Sequence, residues 1–256
     1  MTCRARLIPT LLLQGNSIVK TVNFKDCKYI GDPLNTVRIF NEKQVDEIMI
    51  IDINATVDSK EPNYKIISKL ASECTMPMCY GGGITNIEQV IKIIELGVEK
   101  VSLSSHAIKK PKIIKNIADK IGSQSIAVTL DVKKRRFSSK YEIYTHNGKR
   151  STKKELTSFL KIIEDSGAGE LIINSVNKDG MQTGYDKELI RQVCENISIP
   201  KTILGGGKSI EEASELNKEF KLSGFASGSQ YIFKGKYRAV LINYPSFEER
   251  EKKLIS

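Results

Sequence analysis

The tetrapeptide Gly81-Gly82-Gly83-Ile84 returns 124 residues later as Gly205-Gly206-Gly207-Lys208, and this repeat decides the fold. A second pair has the same offset, because Ser104-Ser105 is matched by Gly228-Ser229. Self-similarity at a fixed spacing indicates that one structural unit has been copied. The two halves of the chain are therefore predicted to be copies of each other.

Short apolar and β-branched runs alternate with helical patterns along the whole chain. The runs that predict strands cover residues 7–13, 47–53, 77–80, 100–104, 125–131, 170–174, 200–204 and 223–227. Eight strands alternating with helices in about 250 residues are typical of a (β/α)8 barrel, whereas a doubly wound sheet usually has fewer strands. We predict one (β/α)8 barrel domain over residues 1–256, with half-barrel duplication.

Polar residues that can cap a first helical turn precede several apolar stripes. They are Asn86 with Gln89, Thr152 with Glu155, Asp186, and Ser209 with Glu212. Gly97 and Gly167 stand where a left-handed residue would end two of these helices. Each stripe is expected to pack on the sheet.

The composition, with 40% hydrophobic and 27% charged residues, is that of a globular protein and excludes disordered and low-complexity classes. No apolar run approaches the ~18 residues that a membrane helix needs. The apolar run at 7–13 is too short for a signal peptide and is interpreted as the first strand. A cytoplasmic protein without a membrane partner is expected.

The cysteines are odd in number and scattered, with no C-x-x-C spacing. They are Cys3, Cys27, Cys74, Cys79 and Cys194, and the only histidines are His106 and His146. We expect reduced cysteines that pack as small hydrophobes, and neither a metal site nor a cofactor.

The charge balance of 40 basic and 30 acidic residues gives a net charge of +10. This excess favours anionic partners such as phosphorylated metabolites, nucleotide sugars, nucleic acid or an acidic protein. The basic residues form separate clusters, such as residues 133–136, rather than one stripe. A nucleic-acid-binding module is therefore the weaker alternative, and no nucleic-acid partner is expected.

Glycine-rich strand ends predict two phosphate sites that face each other across the barrel mouth. One combines the triplet at 205–207 with Gly228-Ser229, and the other combines the triplet at 81–83 with Ser104-Ser105. Each triplet alone could equally serve a tight turn after a strand. Their paired recurrence with serine favours an elongated ligand that carries a phosphate at each end.

Asp131 ends the fifth predicted strand in phase with Ala127 and Thr129, where a carboxylate can act as a general base. Its counterpart in the first half is Leu12, at an offset of 119 residues that five extra residues in the second half reconcile with 124. Leucine cannot exchange a proton. Two facing carboxylates would form an acid/base pair, and this sequence has one of them.

A series of motifs spans nearly the whole chain in order. They are Arg6-Leu-Ile-Pro-Thr10, Lys20, Gly31-Asp-Pro33, Ile51-Asp-Ile53, Gly81-Gly-Gly-Ile84, Lys100-Val-Ser102, Asp131, an inserted hairpin at 139–149, Gly167-Ala-Gly-Glu170, Asn177-Lys-Asp-Gly180 and Gly184-Tyr-Asp186. Together they resemble the cyclase subunit of imidazole glycerol phosphate synthase. The resemblance implies a heterodimer with a glutaminase subunit, whose ammonia crosses the barrel to a two-phosphate ribonucleotide at the other end.

The resemblance also implies roles for individual residues. Asp131 would be one of two catalytic aspartates, and Lys20 would lie on a mobile loop over the mouth. The residues implied near the substrate are Asp52 and Asp179 as polar groups, Gly82, Gly83 and Ser105 for one phosphate, and Gly205, Gly206, Gly228 and Ser229 for the other.

The sequence departs from this family at the other catalytic aspartate, which falls at Leu12, and His106 follows Ser105 where a small residue is usual. Because a proton-transfer group contributes about 10² to 10⁴-fold in rate, ordinary cyclisation is expected to be reduced or lost.

The strand starts at the opposite end of the barrel match the family. A ring of alternating charge gates its ammonia passage, and the corresponding residues are Arg6, Glu47, Lys100 and Glu170. Strand parity places Arg6 on one face with Thr10 and Leu12. Any one of these charged residues could instead be solvated, or could form a salt bridge that plugs the end of the barrel. Four of them with the charge signs of the family favour the gate.

Retention of the gate without the acid predicts a paralogue that conducts ammonia but no longer closes an imidazole. Such paralogues occur beside surface-polysaccharide genes and are thought to supply a sugar amidotransferase. The alternative is an active cyclase in which His106 or Asp52 replaces the acid. An isomerase of the related sugar-phosphate barrels is disfavoured, because it too needs the missing aspartate and has no use for the gate.

Overall fold

A closed barrel of parallel strands forms the centre of the computed structural model, which describes residues 4–136 and 138–254. Cys3 lies outside the described residues. The strands are β1 (Arg6–Gln14), β2 (Ser17–Val22), β3 (Lys25–Gly31), β4 (Ile48–Asp52), β5 (Met78–Gly81), β6 (Lys100–Leu103), β7 (Ile126–Lys134), β8 (Tyr141–Thr145), β9 (Arg150–Glu155), β10 (Glu170–Ser175), β11 (Lys201–Leu204), β12 (Gly224–Ser227), β13 (Phe233–Lys234) and β14 (Ala239–Val240).

The helices follow the barrel strands along the chain, and the longer ones pack on the outer face of the barrel. They are α1 (Pro33–Glu42), α2 (Tyr64–Glu73), α3 (Ile87–Glu95), α4 (Ser105–Lys109), α5 (Lys112–Ile121), α6 (Leu156–Asp165), α7 (Lys187–Asn196), α8 (Ile210–Phe220), α9 (Ser229–Ile232) and α10 (Phe247–Leu254).

The barrel closes in the order β1, β4, β5, β6, β7, β10, β11, β12, and β12 pairs with β1. All eight predicted strand runs are barrel strands, which confirms the (β/α)8 fold. The seam between β7 and β10 is parallel and pairs Asp131 with Asn174. Because β1 and β7 stand four places apart in a ring of eight, their carboxyl ends lie on opposite sides of the mouth.

Side chains on alternate strand positions separate two apolar regions. The larger region lies between barrel and helices, where the predicted stripes such as Val90 with Ile93 and Leu189 with Ile190 are buried. The smaller region lies inside the barrel and comprises Ile8, Met49, Cys79, Ala127, Ile172, Leu204 and Ala226. The four described cysteines are free thiols.

Three of the predicted helix caps are confirmed. The side chains of Asn86, Asp186 and Ser209 each accept a hydrogen bond from the backbone N–H three residues later. Gly97 and Gly167 follow their helices with φ of 98° and 81°, in the left-handed region.

The predicted cap at Thr152 with Glu155 is wrong. Both residues belong to β9, and the Thr152 hydroxyl donates 2.7 Å to the carbonyl of Ile143 in β8. The inserted hairpin runs on past residue 149, so that α6 begins only at Leu156. The Thr152 hydroxyl forms a cross-strand hydrogen bond in the hairpin instead of capping a helix, which the spacing had predicted.

Two hairpins extend the barrel over its mouth. The first, β2–β3, pairs with β1, and the second, β8–β9, pairs with β7. At the tip of the second hairpin, the Asn147 side-chain amide donates 2.9 Å to the carbonyl of Ile53, beyond the end of β4. In the described part of the chain, no helix is both long and apolar enough to cross a bilayer.

Candidate functional site

A cavity of about 490 Å³ opens at the carboxyl ends of the barrel strands. Its floor reaches down to Met49 inside the barrel, and its walls carry side chains from both hairpins, including Phe24 and His146. The predicted site residues that line it are Lys20, Asp52, Gly82, Gly83, Ser105, Asp131, Asp179 and Gly228. The fold thus brings these separated residues to one cavity.

Asp131 stands at the end of β7 with its carboxylate turned into the cavity. Burial raises the pKa of Asp131 to about 6, although the hydrogen bond that Asn174 Nδ2 donates to Oδ1, at 2.8 Å, acts in the opposite direction. The nearby Asp179 raises the pKa further. A carboxyl that titrates close to neutral pH can both accept and return a proton.

Leu12 lines the same cavity from β1, on the far side of the barrel from Asp131. Its strand neighbour is Ile51 of β4, which also faces the cavity. The two side chains at this level opposite Asp131 are therefore apolar. Within the described residues, position 12 offers no proton donor where a second carboxylate would complete a facing pair.

Asp52 is held by the turn that follows β4. Its Oδ1 accepts 3.0 Å hydrogen bonds from the backbone N–H groups of Asn54 and Ala55. This arrangement is an Asx turn, in which the carboxylate organises the local backbone. Asp52 lies at the cavity wall, but the bonded oxygen is already committed to the protein.

His106 also lines the cavity, at the start of α4. Burial lowers the pKa of His106, and the positive charges of Lys110 and Lys109 lower it further. The imidazole is therefore neutral at pH 7, so that it is a poor proton donor there.

The first glycine-rich turn, after β5, packs tightly against the turn after β4. Gly82 and Gly83 have φ of 120° and 73°, and a Cβ at Gly82 would lie 2.5 Å from the carbonyl oxygen of Asp52. Glycine is therefore required here by backbone conformation and by packing. Ser105 begins α4 beside this turn, and its side chain also lines the cavity.

The second glycine-rich turn, after β11, lines a smaller cleft next to the main cavity. The cleft is bounded by residues 205–207, by Ser227, Gly228 and Ser229 at the end of β12, and by Asp179. Gly206, with φ of 102°, packs so closely on the Gly184 carbonyl that a side chain would overlap it. These predicted residues are brought together in one place.

Lys20 lies at the mouth as predicted, but on a strand of the β2–β3 hairpin and not on an irregular loop. It lies in β2, where it is 5% exposed, and its Nζ stands 3.5 Å from Oδ1 of Asp179. The run from Ser17 to Val22 forms a hairpin strand because its β-branched residues pack on β1. The buried ammonium therefore forms one wall of the smaller cleft.

A closed ring of ion pairs lies at the other end of the barrel. Arg6 donates to Glu47 and, at 2.6 Å, to Glu170, and Lys100 donates 2.6 Å to Glu170 and 3.3 Å to Glu47. The Thr202 hydroxyl adds a 2.5 Å hydrogen bond to Glu170. The predicted meeting of these four charges is thus seen, and each cation bridges both anions.

The ion pairs of the ring favour the charged forms of Glu170 and Lys100. Burial alone would raise the pKa of Glu170, but Lys100 and Arg6 outweigh it and the net shift is downward. Burial would likewise lower the pKa of Lys100, but Glu170 and Glu47 outweigh it and raise the value. Two positive and two negative groups leave the ring neutral as a unit.

Between ring and cavity, the interior carries both apolar and hydroxyl side chains. The small apolar region contains Ile8, Ala127 and Ile172. In strand register, Thr129 is the neighbour of Ile172 and Ser102 is the neighbour of Ala127, and the hydroxyls of Ser102 and Thr129 share a 2.6 Å hydrogen bond. This apolar region inside the barrel was not predicted from the sequence.

Sequence reasoning missed three residues of the site. Asn174 holds Asp131, Asn147 ties the second hairpin across the mouth, and Arg238 donates 3.3 Å to the hydroxyl of Ser229. Strand parity with Glu170 could have pointed to Asn174. No local signal marks the other two, because both act across long separations in the chain.

Comparisons with known proteins agree with this geometry. Residues 6–238 match the family model described as histidine biosynthesis protein. A protein of Leptospira borgpetersenii, provisionally named imidazole glycerol phosphate synthase subunit HisF, is 48% identical over 97% of this chain and 98% of its own length. A protein of Vibrio vulnificus with a provisional name of the same kind, hisF3, is 48% identical over 98% and 96%. The imidazole glycerol phosphate synthase subunit HisF of Chlorobium phaeobacteroides is 34% identical over 87% and 85%.

Proposed function

The chain belongs to the histidine biosynthesis protein family, and from this membership we propose that it is the synthase-type subunit of a glutamine amidotransferase complex. In this proposal it binds a glutaminase subunit as a heterodimer and conducts the released ammonia through its barrel. The acceptor is a surface-polysaccharide sugar, held by a sugar amidotransferase at the mouth.

One observation carries the proposal: the ion ring is complete, whereas the residue opposite Asp131 is the apolar Leu12. Arg6, Glu47, Lys100 and Glu170 bond to one another at the strand starts. Leu12 supplies no proton-transfer group at the other end. The charged ring that would serve ammonia passage is kept, whereas one of the two proton-transfer groups for ring closure is missing.

The interior suits a small neutral molecule. Carrying ammonium past the apolar side chains inside the barrel would require a bare charge to leave water, which costs several kcal/mol or more. Ammonia is neutral and avoids this cost, and it can exchange hydrogen bonds with the hydroxyls of Thr10, Ser102 and Thr129 that line the cavity. Entry requires the ring to open, and movement of the flexible Lys100 side chain away from the two glutamates is the simplest opening.

At the mouth, Asp131 is the group that can handle protons. With a pKa of about 6 it is mostly ionised at pH 7.5, so that it can accept a hydrogen bond from incoming ammonia or from the acceptor. The glycine-rich turns and Ser105 and Ser229 would hold anionic groups of a phosphorylated ligand through backbone N–H and hydroxyl groups. The net charge of +10 supports an anionic ligand.

The test begins with the full chain and a glutaminase subunit from the same source. Complex formation is expected to stimulate glutamine hydrolysis. Glutamine labelled with ¹⁵N in the amide, supplied beside unlabelled ammonium, is expected to give product that keeps the label. Arg6→Ala or Lys100→Ala should let the label escape into bulk solution.

Arg4→Ala is the matched control, because Arg4 pairs with Asp46 and Glu251 instead of with the ring. The control should keep the label. If no complex forms, or if product takes its nitrogen from bulk ammonium in the unaltered protein, the conduction proposal fails.

The second candidate is an active imidazole glycerol phosphate cyclase. It is favoured by the raised pKa of Asp131 and by the 34% identity to a HisF subunit over most of the chain. A steady-state assay with the authentic two-phosphate ribonucleotide and ammonium salt separates the two. Turnover at ordinary cyclase rates would show that the protein acts in histidine biosynthesis and not in sugar amidation.

A further inference from the structure

The smaller cleft has a cationic side chain over it that comes from the C-terminal hairpin. Arg238 lies in the turn between β13 and β14, where its backbone N–H donates 3.0 Å to the carbonyl of Gly235. Its guanidinium donates 2.9 Å to the Gly180 carbonyl and 3.3 Å to the Ser229 hydroxyl. Both of these acceptor residues line the cleft.

The guanidinium is held in place before any ligand arrives. Its Cζ atom lies 4.7 Å from the ring centre of Phe233, and Lys28 of the β2–β3 hairpin donates 3.3 Å to the Arg238 carbonyl. A side chain that is fixed by stacking and by a backbone anchor loses little conformational freedom on binding. The hairpin turn therefore presents the group in a defined position.

The cleft carries an excess of positive charge. Lys20 reaches it from β2 and stands 3.5 Å from Asp179. Among the residues that the structure describes, no carboxylate lies within ion-pair distance of Arg238. Two cations thus converge on a cleft with one facing carboxylate, and a small anion would restore the balance.

The donor geometry fits phosphate. A guanidinium has five N–H groups, and within the described chain two of those of Arg238 have protein acceptors. A phosphate that accepts from the Ser229 hydroxyl would lie next to the guanidinium, because Arg238 donates 3.3 Å to the same hydroxyl. Arginine binds phosphate in two-point contacts that a lysine cannot reproduce.

We propose that Arg238 binds phosphate at the cleft between Gly206 and Ser229 and fixes which end of a two-phosphate ligand enters there. This inference rests on the proposed function only in assuming a phosphorylated ligand. The turn with Gly82 and Gly83 has a different character, because its neighbour Lys60 is 71% exposed and pairs with Asp58 at 3.0 Å. The stronger of two phosphate sites is therefore the one that Arg238 serves.

The probe is inorganic phosphate, titrated into the full-length chain by calorimetry at constant ionic strength with chloride as the reference anion. The unaltered protein should show a stronger and a weaker site. Arg238→Ala should weaken the stronger site at least tenfold, and Arg238→Lys should recover only part of the loss. Phosphate soaked into crystals should lie beside Ser229.

Lys236→Ala is the matched control, since it removes one exposed cation from the same turn. It should leave both affinities within twofold. If Arg238→Ala binds phosphate as the unaltered chain does while Ser229→Ala weakens it, the role of Arg238 is wrong and the phosphate cleft stands. If the unaltered chain binds no phosphate, the inference and the two-phosphate ligand both fail, whereas ammonia conduction is judged separately by the ¹⁵N experiment.

Discussion

Asn174 donates a 2.8 Å hydrogen bond from Nδ2 to Oδ1 of Asp131 across the seam where β10 meets β7. The amide oxygen of the same Asn174 is buried without a hydrogen-bond partner in the described chain. The hydrogen bond to Asp131 fixes the orientation of the Asn174 side-chain amide, with its NH2 group towards the carboxylate. Asp131 remains a near-neutral acid because burial outweighs this single bond.

Asp131 should make stability depend on pH. The pKa of Asp131 is raised from 3.8 to about 6 in the folded state, because burial favours the protonated carboxyl. The contribution of this group to the free energy of unfolding is therefore fully present below pH 3.8 and is lost as the pH rises through about 6. Asp131→Asn should therefore be more stable than the unaltered protein at pH 7.5, by about 2–3 kcal/mol. Urea unfolding at pH 7.5 and pH 4 measures this. Equal differences at both pH values would contradict it.

Removal of the amide should raise the pKa of Asp131 further. In Asn174→Ala the ionised carboxylate loses the donor that favours it, so the pKa should move above 6. A carbon-detected NMR titration of the Asp131 carboxyl gives the value. Thr129→Val is a control, because that hydroxyl bonds to Ser102 and leaves the Asp131–Asn174 bond in place. A larger shift in the control than in Asn174→Ala would refute the assignment.

Removal of one cation from the ring should lower the free energy of unfolding. Lys100→Met leaves Glu47 and Glu170 to share Arg6, and we expect a loss of about 2–3 kcal/mol at pH 7, below the range for a completely abandoned buried charge. Glu170 has a lowered pKa, so its contribution is present above its unfolded pKa and is lost as the pH falls. The deficit measured by urea unfolding should shrink in acid. Lys60→Met, which breaks an exposed pair, should cost under about 1 kcal/mol.

Leu12→Asp restores a carboxylate opposite Asp131. If the rest of the mouth is competent, ammonium-dependent cyclisation of the two-phosphate ribonucleotide should rise by about 10²-fold or more. Leu11→Asp is an unsuitable control because Leu11 is buried in the outer core, whereas Ile51→Asp places a carboxylate elsewhere on the same cavity wall. Equal gains from Leu12→Asp and Ile51→Asp would mean that position 12 has no special role.

Two glycines with left-handed backbone should respond differently to alanine. Gly206→Ala meets both an unfavourable φ of 102° and the Gly184 carbonyl, and the strain of each is about 1–3 kcal/mol. Gly235→Ala has φ of 73° and open space around it, so it should cost only about 1–2 kcal/mol. Thermal unfolding of both variants checks the order. A smaller loss of stability in Gly206→Ala than in Gly235→Ala would show that the turn after β11 can shift to accommodate a side chain.

The barrel was predictable because its signals are local. Strand runs such as 125–131 and caps such as Asn86 depend on nearby residues, and both are seen in the structure. The charged ring was predicted from the family resemblance, and strand parity supported its inward position. Thr152 failed because hairpin pairing with Ile143 competed with the helix cap that the same spacing suggests.

What escaped prediction depends on contacts between distant segments. Lys20 lies on a strand because β2 pairs with β1, and its ammonium meets Asp179. Neither contact can be inferred from the residues beside Lys20 in the sequence. Arg238 reaches Ser229 only because the last hairpin folds back over the mouth. The roles of individual glycines are likewise ambiguous from sequence, since packing on Asp52 or on Gly184 explains them without any ligand.

The apolar side chains of Ile8, Met49 and Ile172 inside the barrel have a consequence for proton transfer. A charged ion is costly to move past apolar groups, whereas a neutral molecule is not. In the proposed complex, nitrogen that passes them as ammonia would leave its fourth hydrogen behind at the end where the charged ring lies. The two ends of the barrel would then exchange nitrogen without exchanging protons.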